Sequence, residues 1–185
     1  AGLKISLSSD IFSVYAHYFK VNVDFPPPFG LPLSVRGASV GYSSLGATLD
    51  WANIVFYTEY FENKIDKENA VFPLVYPQQK GGYATLGYRI GKFLPHVTFG
   101  TLDDNDSPIS TLVPLPTALK QTSTTLGLRY ELAAGAALKI EAQQIKPEAA
   151  GPGYPGRGLL IADPLLGPDA TDKVNIFSLA LDVVF

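Results

Sequence analysis

Two short motifs in this sequence have residue types and spacing that suggest chemistry. The run GPGYPG at 151–156 matches the glycine spacing of a dinucleotide-binding loop, which must open a helix whose amino end holds the phosphates. Pro155 and the proline- and glycine-rich residues after it exclude that helix, so a loop without a cofactor is expected. The run DDND at 103–106 offers oxygen ligands for calcium but lacks the glycine and the distal glutamate of an EF-hand loop. We expect a solvated loop tip there.

Residues typical of catalysis are scarce. The two histidines, His17 and His96, have no partner at metal-ligand spacing. The chain has no cysteine, which excludes disulfides and thiolate metal sites. No nucleophile elbow, Ser-His-Asp order or paired-carboxylate motif is present. The sequence therefore predicts a protein that is not an enzyme and that has no catalytic, cofactor or metal site.

The composition is unusual for a soluble protein. The 185 residues have the size of one domain, 1–185, and the net charge of −3 gives no basic surface for nucleic acid. Charged residues make up only 17% and aromatic residues 12%, against about a quarter charged in typical soluble domains. No apolar run is long enough for a transmembrane helix. This balance suits a chain that faces lipid on one side and water on the other.

Alternation of apolar and polar residues predicts nine strands, since side chains on a strand point to opposite faces in turn. Short turns are expected at 8–10, 43–46, 91–92 and 134–136, and long connections at 24–33, 62–81, 103–121 and 147–173. Short and long connections therefore alternate. The predicted strands are 3–7, 11–23, 34–43, 48–61, 82–90, 93–102, 122–132, 137–146 and 174–185.

Three stretches carry a resemblance to a known family. They are the terminal NIFSLALDVVF, the hairpin TTLGLRYELAAGAALKIEAQQIK, and the aromatic stretch LDWANIVFYTEYF with the SVGYSSLG before it. In order and spacing they resemble the porins of Gram-negative outer membranes. The resemblance implies an all-β, antiparallel up-and-down transmembrane β-barrel with short periplasmic turns and long extracellular loops.

The resemblance also implies a location, partners and an assembly signal. A porin lies in the bacterial outer membrane, contacts the lipid bilayer and lipopolysaccharide, is inserted by the barrel-assembly machinery and is commonly a homotrimer. The assembly signal would be the apolar face of the last strand. Its residues are Phe177, Leu179, Leu181, Val183 and Phe185.

If the apolar face meets lipid, the polar face lines a lumen that passes small hydrophilic solutes or ions. Aromatic residues are expected in two interfacial bands, with Phe12, Trp51, Phe93 and Phe185 on the turn side and Tyr60, Phe61, Tyr83 and Phe177 on the loop side. The expected pore-lining residues are Lys20, Arg36, Glu59, Arg89, Arg129, Glu131, Lys139, Glu141 and Asp182.

Charges also predict a register for the hairpin around Gly135. Arg129 is expected opposite Glu141, and Glu131 opposite Lys139, because cross-strand pairs of opposite charge are favourable.

The strand number leaves alternatives open. Nine is odd, whereas bacterial single-chain barrels have even numbers, so the chain is expected to be the carboxy-terminal part of a barrel of about sixteen strands. Alternatively, 3–7 lies outside the sheet and the chain is a complete eight-stranded barrel that acts as a membrane anchor or surface-binding protein. A third alternative is a soluble, lipocalin-like barrel that binds a ligand with its apolar face turned inwards.

Overall fold

The computed structural model describes residues 1–25, 35–65, 78–104, 120–148 and 173–184. These residues form nine strands in one antiparallel sheet, and the strands lie side by side in chain order. The sheet does not close into a barrel, so the first and last strands are its edges. The strands are β1 (Gly2–Ser8), β2 (Phe12–Phe25), β3 (Val35–Trp51), β4 (Ile54–Ile65), β5 (Gln79–Tyr88), β6 (Phe93–Asp104), β7 (Lys120–Ala133), β8 (Ala136–Glu148) and β9 (Val174–Val183).

Short and long connections alternate along the chain, as predicted. Residues 9–11, 52–53, 89–92 and 134–135 make the short turns, and each remaining connection spans nine or more residues. The predicted all-β, up-and-down arrangement of nine strands is therefore confirmed. None of the described segments is a helix long and apolar enough to cross a membrane.

The position predicted for the turn between β3 and β4 is wrong. The predicted turn at 43–46 lies inside β3, and the predicted strand 48–61 is interrupted by Ala52 and Asn53. Ala52 takes the left-handed conformation with φ of 53° that a tight hairpin turn requires. The serines and glycine at 43–46 look like a turn, but in the sheet they are small residues facing larger neighbours.

The charge-based register of the β7–β8 hairpin is also wrong. Arg129 lies opposite Lys139, and Glu141 lies opposite Gly127. The turn contains only Ala134 and Gly135, and a bulge between Glu131 and Ala133 shifts the strands. Turn length and the bulge therefore fix the pairing, and the charges pair along and diagonally across the strands instead.

The two faces of the sheet differ in exposure and chemistry. One face, here called the apolar face, carries side chains such as Phe177, Leu179 and Leu126, which are 82%, 70% and 63% exposed. The other, the polar face, curves around a cavity of about 470 Å³. Most of the buried side chains, including Val55, Ala137 and Thr125, lie on the polar face. The sheet thus leaves its large apolar residues uncovered.

Candidate functional site

The cavity of the polar face is the candidate site. Strands β4 to β9 and the turn between β5 and β6 contribute its lining. Because polar residues at alternate positions share one face, eight charged or histidine side chains converge there. They are Arg89, Lys92, His96, Arg129, Glu131, Lys139, Glu141 and Asp182.

Arg129 occupies the centre of a charged cluster on β7, β8 and β9. Its Nε donates to Glu131 Oε1 at 2.7 Å, and one terminal nitrogen donates to Asp182 Oδ2 at 2.8 Å. Lys139 lies directly opposite Arg129, and such a pair of like charges is unfavourable unless it is neutralised. The three carboxylates of Glu131, Asp182 and Glu141 supply that neutralisation. The Arg129 side chain is 34% exposed, so it remains accessible from the cavity.

Arg89 forms a second, separate ion pair at the turn end of the cavity. Its two terminal nitrogens donate to the two carboxylate oxygens of Asp50 at 2.9 and 2.8 Å, a bidentate geometry. These hydrogen bonds raise the pKa of the guanidinium, which therefore stays charged. The pair links the short connection between β5 and β6 to the end of β3.

His96 is held in a bridge that crosses one strand. Its ring lies over Gly127 on β7, and its Nε2 is 3.2 Å from Glu141 Oε1 on β8. A Cβ atom at Gly127 would lie 2.2 Å from that nitrogen, so only glycine leaves space for the ring. Lys139 Nζ contacts the same Glu141 oxygen at 3.0 Å. Glu141 therefore joins the histidine to the charged cluster.

Tyr15 makes an equivalent bridge on the other half of the sheet. Its ring lies over Gly46 on β3, where a Cβ atom would come within 2.3 Å of it. Its hydroxyl donates to Glu59 Oε2 on β4 at 3.2 Å. Both bridges thus use an aromatic ring, a glycine on the next strand and a glutamate on the strand after that.

A row of hydroxyl groups crosses the polar face perpendicular to the strands. Two neighbouring pairs in this row hydrogen-bond, with 3.0 Å between the Ser13 and Thr48 hydroxyls and 2.7 Å between those of Thr85 and Thr98. The row gives water and polar solutes neutral partners next to the charged cluster. Its members on β1 to β7 are Ser8, Ser13, Thr48, Tyr57, Thr85, Thr98 and Thr125.

Aromatic rings cover the polar face on the strands away from the charged cluster. Phe19 stacks on Tyr42 with ring centroids 4.9 Å apart, and Tyr42 lies 6.1 Å from Phe61. Phe61 and Tyr83, which are expected in the loop-side aromatic band, both lie on the polar face, where alternation already predicts Tyr83. Phe12, Trp51 and Phe93 do lie on the turn side of the apolar face, and Tyr60 and Phe177 on its loop side.

Most of the expected pore-lining residues lie on the polar face, but one of them lies on the apolar face. Lys20 shares the apolar face with Val14 and Tyr18. The side chain of Arg36 lies outside the described part of the chain, as do residues 105–106 of the acidic run, the GPGYPG run and Phe185. Asp103, the first residue of the acidic run, pairs with Lys80 at 3.8 Å. The seven residues on the polar face are Glu59, Arg89, Arg129, Glu131, Lys139, Glu141 and Asp182.

The residues that are expected to form an assembly signal share one face of the last strand. Phe177, Leu179, Leu181 and Val183 project from the apolar side of β9, opposite apolar or small residues of β8. Because β9 is an edge of the sheet, its other side has no strand partner in the described chain.

Sequence reasoning missed the two bridges and the hydroxyl row. Each consists of residues that are ordinary in their own strand and become a feature only when the register aligns them. A glycine in the middle of a strand is a usable signal, because it often marks the close approach of another group. Gly46 and Gly127 both fit that rule, and each lies under an aromatic ring.

Among the described residues, no group of three or more His, Cys, Asp or Glu side chains is arranged to hold a metal ion. No protein-family model matches this chain, and no curated protein is significantly similar to it.

Proposed function

We propose that this chain forms nine consecutive strands of the wall of an outer-membrane β-barrel, a porin through which small hydrophilic solutes diffuse passively. The observation that carries the proposal is the distribution of side chains over the sheet. Large apolar residues are exposed on the outer side of every strand, whereas fixed charges and hydroxyls surround the cavity. A soluble sheet would bury its apolar face.

The height of the apolar band supports a membrane location. On β6, residues 93–101 precede the first charge of the apolar face at Asp103. On β7, residues 122–130 follow Lys120, and on β9, residues 175–183 follow Lys173. A tilted strand needs about 9–11 residues to cross the apolar layer of a bilayer. On each of these three strands, the stretch without a charge on the apolar face therefore has about the length that crosses the apolar layer.

The polar face supports a role in conduction rather than in chemistry. Three of its cations, Arg89, Arg129 and Lys139, are held by carboxylates. Fixed charges of both signs hold water and discriminate between permeating solutes without reacting with them.

Strand direction favours the larger of the two barrels considered. In an up-and-down sheet of nine strands, β1 and β9 run in the same direction, so closing this sheet on itself would require a parallel pair. An odd number of further strands would allow antiparallel pairing at both edges and give the even total of bacterial barrels. The eight-stranded alternative needs 3–7 outside the sheet, but Leu3, Ile5 and Leu7 pair with β2.

Permeability of vesicles tests the proposal directly. The protein, purified from its native membrane in detergent, is reconstituted into liposomes, and swelling is followed in isotonic solutions of sugars of increasing size. Swelling that is fast for pentoses and slow for trisaccharides is expected. Absence of swelling together with an intact mass near 19.9 kDa would refute the pore and favour a small closed barrel. Extraction of the protein without detergent would instead favour the soluble, lipocalin-like barrel.

A further inference from the structure

The two ring nitrogens of His96 both lie close to hydrogen-bond acceptors. Nδ1 is 3.2 Å from the backbone oxygen of Leu94 on the same strand, and Nε2 is 3.2 Å from Glu141 Oε1 on β8. A neutral imidazole carries one proton and can donate to only one of these oxygens, whereas an imidazolium donates to both. The geometry around His96 therefore fits the charged form of the ring.

The surroundings of His96 hold the ring in this position. Its side chain is 10% exposed, and the ring lies over the backbone of Gly127 on the next strand. When the ring loses one proton, one nitrogen keeps a lone pair that faces an oxygen at 3.2 Å. Such a contact is unfavourable in a partly buried place, because little water is there to replace the missing hydrogen bond.

Charged groups surround the ring on the neighbouring strands. Glu141, the carboxylate that His96 contacts, also lies 3.0 Å from Lys139 Nζ, so it keeps a cationic partner whichever form the ring has. The other titratable side chains that line the cavity around the ring are Tyr57 from β4, Arg89 and Lys92 from the connection after β5, Arg129 and Glu131 from β7, and Asp182 from β9.

The charge of this cavity depends on His96. Within the described part of the chain, the permanent charges of the lining balance once Asp50, the partner of Arg89, is included. His96 therefore decides whether this part of the polar face is neutral or carries one positive charge. The balanced charges are Arg89, Lys92, Arg129 and Lys139 against Asp50, Glu131, Glu141 and Asp182.

His17 lies on the same face of the sheet, but its surroundings fit the neutral ring. Its Nδ1 is 3.4 Å from the hydroxyl of Ser44, a group that can either donate or accept. Its Nε2 is buried and has no hydrogen-bond partner among the described residues, and Lys4 lies directly opposite on β1. A second proton on His17 would thus lie near a cation and lack an acceptor. The two histidines of the chain therefore differ in what their contacts favour.

We propose that His96 binds a proton and thereby sets the ion selectivity of the pore according to pH. This inference rests on the proposed function, since only a pore has a selectivity to set. Histidine is the side chain that ordinarily changes charge between pH 5 and 8. The protonated ring adds a positive charge to the cavity and favours anions, and its deprotonation at higher pH favours cations.

Ion selectivity at two pH values tests the proposal. The detergent-purified protein is inserted into planar bilayers, and its reversal potential in a potassium chloride gradient is measured at about pH 5 and about pH 8. The permeability ratio of potassium to chloride should rise about twofold between them, the effect of one unit charge on ions that pass about 10 Å away at about 0.1 M salt. His96→Gln should lose this rise, because glutamine stays neutral at both pH values.

His17→Gln is the matched control, because His17 is the other of the two histidines and lies on the same face. It should keep the rise that the wild type shows. A His96→Gln variant that keeps the rise, or a His17→Gln variant that loses it, would overturn the proposal. So would a wild type that conducts with the same permeability ratio at both pH values, and that result would leave the pore itself standing.

Protonation of His96 is also measured without conduction. Nitrogen-15 NMR of histidine-labelled protein in detergent micelles distinguishes the imidazolium from the neutral ring, and the two glutamine variants assign the signals. Both nitrogens of His96 should carry a proton at about pH 5, and one of them should have lost it at about pH 8. A ring that keeps one form at both pH values would overturn the proposal even if the pore conducts. A wild type that does not conduct would refute the pore, and the NMR signals would then show the proton site alone.

Discussion

His96 reaches Glu141 only because the strand between them carries a glycine at that point. Substitution of Gly127 by alanine places a Cβ atom 2.2 Å from the His96 ring, so the ring must move off the strand. Forced repacking of this kind costs about 1–3 kcal/mol. We expect Gly127→Ala to lower the free energy of unfolding in urea by that amount and to separate His96 from Glu141.

Gly41→Ala is the matched control for that measurement. A Cβ atom at Gly41 would meet its nearest neighbour at 3.8 Å, an ordinary contact. Its free energy of unfolding should stay within about 0.5 kcal/mol of the wild type. Equal effects of the two substitutions would mean that the space above Gly127 is not what constrains His96.

Arg129 is the residue whose removal should most change the charge seen by a permeating ion. Without it, Glu131 and Asp182 lose the guanidinium that they share, and the charged cluster becomes more negative. If the polar face lines a pore, Arg129→Gln should shift the reversal potential in a salt gradient towards cation selectivity. Lys64→Gln removes a charge from the apolar face and should not shift it. An unchanged reversal potential in Arg129→Gln would place the cluster outside the conduction path.

The face of the sheet on which a side chain lies could be predicted from the sequence for some residues and not for others. Alternation alone gives the correct face for Arg89, Arg129 and Glu141, because clean apolar neighbours surround each of them. It failed for Lys20, since the polar and aromatic residues His17 and Tyr18 conceal the pattern in β2. The aromatic bridges were beyond sequence reasoning for a different reason, which is that their three members lie on three strands whose register the sequence does not determine.

At the scale of the strands, the hairpin turns decide what the sequence could and could not predict. Gly91 and Gly135 marked two turns correctly, because both adopt positive φ, of 58° and 77°. The β3–β4 turn contains no glycine, so the serine- and glycine-rich run at 43–46 resembles a turn more closely than the true turn does. The predicted number of strands and the order of short and long connections are correct despite this error. The predicted register of β7 against β8 is wrong for a separate reason, because one bulge is enough to shift it.

The two turns should respond to substitution with opposite signs. Ala52 has φ of 53°, which costs a residue with a Cβ atom about 1–2 kcal/mol, so Ala52→Gly should raise the free energy of unfolding by about 0.5–1 kcal/mol. Gly135→Ala should lower it by about 1–2 kcal/mol, because Gly135 has φ of 77°. Urea unfolding of both variants in detergent micelles measures the two effects. Two changes of the same sign would contradict the backbone conformations of these turns.

At the scale of the molecule, three zones succeed one another. The turn end carries the charged cluster inside and aromatic rings such as Trp51 and Phe93 outside. The middle has the hydroxyl row on the polar face and aliphatic side chains on the apolar face, and the loop end of the apolar face carries charged residues such as Glu62, Lys80 and Asp103. If the sheet spans a membrane as proposed, these boundaries would correspond to the two interfaces of the bilayer, and that assignment would rest on the two faces together rather than on any one strand.

Strands β1 and β9 are the two edges of the sheet, and the last prediction concerns whether these edges pair with each other. The chain contains no cysteine, so a pair introduced on β1 and β9, Ile5→Cys with Leu179→Cys, reports only on those two strands. A disulfide requires Cα atoms within about 7 Å, which the two positions would reach only if β1 paired with β9 in parallel. We expect no internal disulfide after oxidation of the protein in its native membrane, because an antiparallel partner from further strands should separate the two edges. The control pair Leu128→Cys with Ile140→Cys lies directly opposite across β7 and β8 and should cross-link. Efficient cross-linking of the first pair would mean that nine strands close on themselves, and the proposal of a larger barrel would then be wrong.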